Sequence, residues 1–136
     1  MDLSTSMAVA AAGLKAQSDR MKTIAENIAN ANSAAATAGG DPYRRKVPTM
    51  TSSFDRELNA EVVKSGKPVA DSSEFRMQYD PGNPLADKQG YVKLPNVNSL
   101  VEIMDMREAQ RSYEADLSVI DATKAMLSRT VDLLKK

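Results

Sequence analysis

Two stretches of the chain keep their apolar residues on a single stripe. Near the C-terminal end, Ile103, Met106, Gln110, Tyr113, Leu117, Ile120, Lys124, Leu127, Val131 and Leu134 follow one another in alternating steps of three and four. That spacing averages about 3.5 residues and holds a seam on one side of a helix. The flanks are charged, with Arg107, Glu108, Arg111, Glu114, Asp116, Asp121, Arg129 and Asp132 among them. Arg111 with Glu114, and Arg129 with Asp132, stand one turn apart and are expected to add about 0.3 kcal/mol each. Ser99 followed by Glu102 has the form of a capping box, and Asn98 is an alternative cap. Acid sits early and Lys135 and Lys136 sit last, which suits the helix dipole. No Gly or Pro interrupts 98–136, so the spacing predicts a rod of roughly 55 Å.

The N-terminal stretch repeats the pattern. Leu3, Met7, Ala10, Leu14, Gln17, Met21, Ile24, Ile28 and Ala31 are again spaced by threes and fours. The small residues around Ala8 to Ala12 let another helix come close. Gly13 opposes the helix by about 1 kcal/mol without breaking it. The run closes on Asn27, Asn30 and Asn32, a residue type that favours caps and turns. A lone helix of either kind leaves its seam wet and needs a partner. The bland solution is a core inside one soluble bundle. The sharper one is a pair of terminal helices that also present surface to neighbouring subunits.

Between the helices the periodicity disappears. Residues 33–42 are rich in Ala, Gly and Thr and read as a loop, with a glycine spacing that matches no phosphate-binding fingerprint. Tyr43-Arg44-Arg45-Lys46 is a short basic run, best read as a solvated strand start or a salt-bridge patch. Short strand signals follow. Glu61 to Lys64 runs into the turn Ser65-Gly66-Lys67-Pro68, and Phe75, Met77 and Tyr79 alternate onto one face before Asp80-Pro81-Gly82-Asn83-Pro84 stops the strand. Tyr91 to Leu94 forms another short strand, closed by Pro95. The expected fold is therefore mainly α: segments 1–32 and 98–136 form an antiparallel coiled coil, and 33–97 forms a loop and a small β-ribbon.

Composition narrows the function. Hydrophobic residues make up 42% but aromatics only 4%, and eight Met outnumber Phe and Tyr together. A thin, adaptable core follows. The 18 acidic and 18 basic residues cancel, so no global field favours nucleic acid or an anionic membrane. Neither Cys nor His occurs, which removes thiolate chemistry, disulfides, the commonest metal ligand and the usual general base. Asp80 and Asp87 are the nearest approach to a paired-carboxylate or cation site, but their spacing fits no calcium loop. No catalytic residue, cofactor, metal or small-molecule substrate is expected. No run is long and apolar enough to span a bilayer, and Met1-Asp2 opens without the basic region of a cleaved secretion signal.

Ile24-Ala25-Glu26-Asn27-Ile28-Ala29-Asn30-Ala31-Asn32 is similar to the N-terminal signature of bacterial flagellar axial proteins, the rod and hook family. In that family a helix ends in an Asn-rich turn leading to a Tyr-Arg-Arg segment, supplied here by Tyr43, Arg44 and Arg45. Tyr79-Asp80-Pro81-Gly82-Asn83-Pro84-Leu85-Ala86-Asp87, Gly90-Tyr91-Val92 and Pro95-Asn96-Val97-Asn98 resemble the proximal-rod members in particular. Glu102 to Met106 and Arg111 to Ala115 continue the likeness, which covers most of the chain. Two features depart from the pattern: the nine residues 34–42 before Tyr43, and Asp116 where Asn is usual.

The resemblance implies a structural subunit of the proximal rod, assembled around the flagellar export channel and transmitting torque. Its partners would be copies of itself, other proximal and distal rod proteins, the membrane-ring base of the rod and the type III export apparatus. It would lie in the basal body, in the periplasmic space, exported without a cleaved signal. Terminal helices would form the inner layer and the middle segment an outer, β-containing part. Other readings are another rod or rod-adaptor subunit, and, from a different class, a soluble coiled-coil adaptor.

Overall fold

A computed structural model describes residues 2–135. Two long helices, α1 (Leu3–Ala29) and α2 (Ser99–Leu134), bracket six short strands. These are β1 (Lys46–Val47), β2 (Met50–Asp55), β3 (Ala60–Ser65), β4 (Val69–Ala70), β5 (Arg76–Tyr79) and β6 (Tyr91–Leu94). The strands make three separate antiparallel pairs, β1 with β4, β2 with β3 and β5 with β6, in place of one ribbon. β2 carries Thr51, Ser52 and Ser53, which hide it from a hydrophobic pattern.

The helix ends are set by side chains. Asp2 caps α1, its Oδ1 accepting from the Thr5 N–H at 2.7 Å, and that bond holds the Asp2 carboxyl below its usual pKa. At the other end Asn30 donates to the Glu26 carbonyl at 2.8 Å, satisfying one of the orphan groups of the last turn. Asn98 caps α2, accepting from the Leu100 and Val101 N–H groups at 3.1 and 3.4 Å. The Ser99/Glu102 capping box does not form, because the Glu102 side chain is drawn inward to other partners. Lys135 follows the last turn, its N–H reaching the Val131 carbonyl, and Lys136 lies outside the described residues. Neither Arg111 with Glu114 nor Arg129 with Asp132 closes to an ion pair. Pairs of this kind lie on a solvated surface, where the gain barely exceeds the cost of fixing two long side chains.

The chain gathers into two compact units, each mixing end and middle segments: Met1–Met21, Thr49–Gly66 and Arg107–Lys136 in the first, Lys22–Pro48 and Lys67–Met106 in the second. In the first unit α1 and α2 run in opposite directions, with Gly13 facing Asp116 and Arg20 reaching Glu108 at 3.7 Å. The β2–β3 hairpin lies against α1 there, and the Ser65 hydroxyl bonds to Asp19. Ala60 and Val62 point inward on alternate positions of β3 and are buried.

In the second unit Ile24, Val92 and Val97 are buried, each worth about 1.5–3 kcal/mol against exposure. Here the β5–β6 hairpin closes through the loop 80–90, organised by Asp87, whose Oδ1 accepts from the Gln89 and Tyr91 N–H groups at 2.8 and 3.0 Å. Gly90 has φ +88°, and a Cβ on it would stand 2.9 Å from the Tyr79 ring. Only glycine fits that turn comfortably. Tyr79 and Tyr91 pack edge to face, 5.3 Å between centroids.

Candidate functional site

The residues singled out in the middle of the chain converge on one buried polar node in the second unit. Its centre is Asn27, fully buried in the last turns of α1. The amide Nδ2 donates to the Lys46 carbonyl at 2.8 Å and to Glu102 Oε2 at 3.3 Å. The amide oxygen accepts from the Tyr43 hydroxyl at 2.8 Å and from the Lys46 N–H at 3.0 Å. Both donors and both lone pairs are therefore filled, the full capacity of a primary amide.

Glu102, only 1% exposed, shares its other oxygen with the Arg45 Nε. Arg45 also reaches Asp71 at 3.2 Å, and Asp105 stands 4.0 Å away. The bond to Glu102 raises the guanidinium's already high pKa, against a burial that works to lower it, so Arg45 stays charged beside the carboxylate. The Ser73 N–H, and then Arg45, hold the Asp71 carboxyl below its usual range. Burial pushes the Tyr43 phenol up, aided by the negative charge of Glu26 and Glu102.

A second ring of bonds supports the first. Asn96 Oδ1 accepts from the Arg45 N–H at 2.7 Å while its amide group donates to Asp71 and Ser73. Arg44 donates to the same two carbonyls and lies over the Phe75 ring at 4.2 Å, a cation–π contact of about 0.5–1 kcal/mol. Arg76 ties the Pro95 carbonyl to that of Ala31. Asn27, Tyr43, Arg45, Asn96 and Glu102 thus form a closed network. Asn32 is exposed and outside it, and Asp80, Pro81, Pro84, Asp87, Gly90 and Tyr91 shape the β5–β6 loop instead. Every donor and acceptor of the central amide is answered within the chain, which leaves no ligand position there. The chemistry of the node is that of a lock between segments distant in sequence.

Glu102 was hidden from sequence reading by its place three residues after Ser99. The signal available was an acidic residue on the same short stretch as Asn96 and Asn98, with the neighbouring cations Arg44 and Arg45 given no partner by local spacing.

The helical seams are placed differently. On α1, Ile24 is buried, and Leu3, Met7, Leu14, Met21 and Ile28 are partly covered. On α2 the residues turned inward are Glu102, Ala109, Asp116 and Thr123, a seven-residue row one step ahead of Ile103, Gln110, Leu117 and Lys124. Met106, Tyr113 and Ile120 are partly covered, whereas Ile103, Leu117, Leu127, Val131 and Leu134 remain exposed, Leu134 at 82%. Small residues win the inside row because Ala109 and Thr123 allow closer approach than leucine. From Lys124 to Leu134 every residue of α2 is exposed.

A chain whose polar motif is a structural lock, and whose longest helix leaves an apolar face uncovered, has the make-up of a building block for an assembly. Residues 7–36 match the family model described as flagella basal body rod protein, and residues 88–133 match that of the flagellar basal body rod FlgEFG protein C-terminal region. The two matches fall on the two helical ends. Among relatives, the chain is 50% identical to the flagellar basal-body rod protein FlgC of Agrobacterium fabrum, over 98% of this chain and 96% of that one. It is 38% identical to FlgC of Aquifex aeolicus over 99% of both, and 36% identical to FlgC of Salmonella typhimurium over 92% of both. The chain belongs to the FlgC family of flagellar basal-body rod proteins, a family of structural proteins and not of enzymes.

Proposed function

We propose that this chain is a structural subunit of the proximal rod, packed through its terminal helices against copies of itself and other rod proteins. The observation that supports this most strongly is the uncovered face of α2. Leu117, Leu127, Val131 and Leu134 are 41, 37, 49 and 82% exposed. At about 25 cal/mol per Å² of apolar surface, covering such residues supplies a large, non-directional driving force for association. Contacts that repeat from copy to copy without closing into a ring build a shaft. Many modest contacts, summed over neighbours, resist torsion without any one strong bond.

In this reading α1 and α2 make a coiled-coil layer around the export channel and the strand pairs lie outside it. The subunit reaches the periplasmic shaft through the flagellum's own type III export apparatus and meets the membrane-ring base there. The buried node keeps the N-terminal Asn-rich turn, the Tyr43–Lys46 strand entry and the start of α2 in one register, so each copy presents the same surface.

Leu127→Asp tests the reading. The residue is exposed in the single chain, so the subunit should fold and be exported, yet fail to enter the rod and leave cells non-motile. Motile cells with normal rods containing the variant would refute it. A soluble adaptor shares the helices but gives no reason for rod incorporation, and a subunit recovered only from cytoplasmic fractions would favour it.

A further inference from the structure

In the first unit a groove between α1 and α2 is lined by Asp116 and Gln17, two hydrogen-bond acceptors that none of the described residues answers. Asp116 lies in the inward row of α2, and its carboxylate sits over Gly13: a Cβ built on Gly13 would stand 2.7 Å from Asp116 Oδ2. Glycine is a poor residue for a helix interior, and here it makes room for that carboxylate. No cation among the described residues pairs with Asp116. Arg20, the inward cation of α1 in this unit, is taken by Glu108. Gln17, one turn beyond Gly13, lines the same groove, and its Oε1 is shut off from solvent with no hydrogen-bond partner. A buried acceptor left without a donor keeps its full desolvation cost. Burial also raises the Asp116 pKa, as it does for a carboxylate without a counter-ion.

Two acceptors, one of them anionic, call for a cationic donor with several N–H groups. The chain carries such groups on the exposed side of α2. Arg107, Arg111, Lys124 and Arg129 are all exposed and take part in no ion pair or hydrogen bond among the described residues. They sit beside the same uncovered apolar face that assembly would bury.

We infer that in the assembled rod one of these four α2 cations, from a neighbouring copy of this chain, enters the groove beside Gly13 and binds the Asp116 carboxylate, the Gln17 side chain turning its carbonyl outward to meet it. The inference rests on the proposed packing of copies side by side. It adds what that packing alone does not fix, a polar contact that sets the register between neighbours. An apolar stripe tolerates sliding by a turn; a buried charge pair does not, because a wrong register leaves both charges unpaired.

The absence of Cys from the chain makes the test direct. Gln17→Cys is combined in turn with Arg107→Cys, Arg111→Cys, Lys124→Cys and Arg129→Cys, and purified basal bodies are treated with a short bismaleimide, which spans the length of the two replaced side chains where a direct disulfide would not. One combination should give a covalent homodimer, with none from the single variants. Rods that contain the subunit but yield no dimer from any of the four combinations would overturn the inference. In a second arm, Asp116→Lys should lower incorporation at least tenfold, and reversing the matching α2 cation to Glu should restore it. Normal incorporation of Asp116→Lys, or no restoration by any reversal, would overturn it equally. A wild-type subunit absent from the rod would instead sink the proposed function, which keeps the two failures apart.

Discussion

Replacing Asn27 by Asp changes one NH₂ group to an oxygen and little else, yet it should strike the node at its centre. The amide donates to the Lys46 carbonyl at 2.8 Å and to Glu102 Oε2 at 3.3 Å. A carboxylate can donate to neither. Two like charges at that distance repel by about 5 kcal/mol at an effective dielectric near 20. The introduced carboxyl escapes part of this by taking a proton, which it can then donate to one of the two acceptors. Arg45 offsets a further part. The remaining loss is one buried hydrogen bond and the cost of protonation, about 3 kcal/mol at pH 7.5.

The pH dependence follows from the sign of the shift. Burial and Glu102 raise the folded-state pKa of the introduced carboxyl above its unfolded value of about 3.9. The protonated form is therefore favoured by folding, the variant is least impaired at low pH, and its deficit grows as pH rises through the folded pKa. Urea unfolding followed by far-UV circular dichroism reads this directly. With a slope of about 1.5 kcal/mol per M, the midpoint should fall by about 2 M at pH 7.5 and by clearly less at pH 5, relative to the unaltered chain at each pH. Asn32→Asp, on an exposed side chain, should leave the midpoint nearly unchanged. A deficit for Asn27→Asp below about 0.5 kcal/mol, or one equal at both pH values, would refute the role given to the node.

Two further expectations follow from local geometry. Gly90→Ala should lose about 1–3 kcal/mol, since the residue stands at φ +88° with the Tyr79 ring 2.9 Å from the new Cβ; thermal unfolding that matches the unaltered chain would show that the β5–β6 loop is not held as described. Tyr43 should ionise late in an absorbance titration, because its phenol is raised by burial and by Glu26 and Glu102. Its un-ionised form is favoured by folding, so this contribution is present below the unfolded pKa and is lost as pH rises through the folded one. Tyr43→Phe should remove that late phase, and persistence of the phase would assign it elsewhere.

Periodicity made the two helices legible, and Asn98 and the Asn27–Asn32 turn marked their ends, because caps and seams are local in sequence. β3, β5 and β6 were legible from alternation and their Gly/Pro stops. β2 was not, since Met50 to Asp55 is mostly polar and is held by pairing with β3, residue against residue from Met50–Ser65 to Asp55–Ala60. The node was only half legible: Asn27, Tyr43, Arg45 and Asn96 stood out as a motif, but the partner that joins them lies 75 residues from Asn27. Local rules gave Glu102 a nearby task at the helix N-terminus, and a long-range buried pair with Arg45 took it instead. The inward row of α2 escaped for a related reason. Counting apolar positions selects Ile103 and Leu117, whereas close helix approach selects the small Ala109 and Thr123, and the two rows lie one residue apart.

The apolar face of α2, on which rod assembly is proposed to depend, should be free in the isolated subunit and covered by neighbours in the rod. Single cysteines at Leu117, Leu127 and Leu134, in a chain with none of its own, report this through their labelling rate with a small maleimide, compared between the dilute subunit and purified basal bodies. All three should label rapidly in the subunit, with at least tenfold protection of Leu117→Cys and Leu127→Cys in the rod. Equal labelling in both states would contradict assembly through this face.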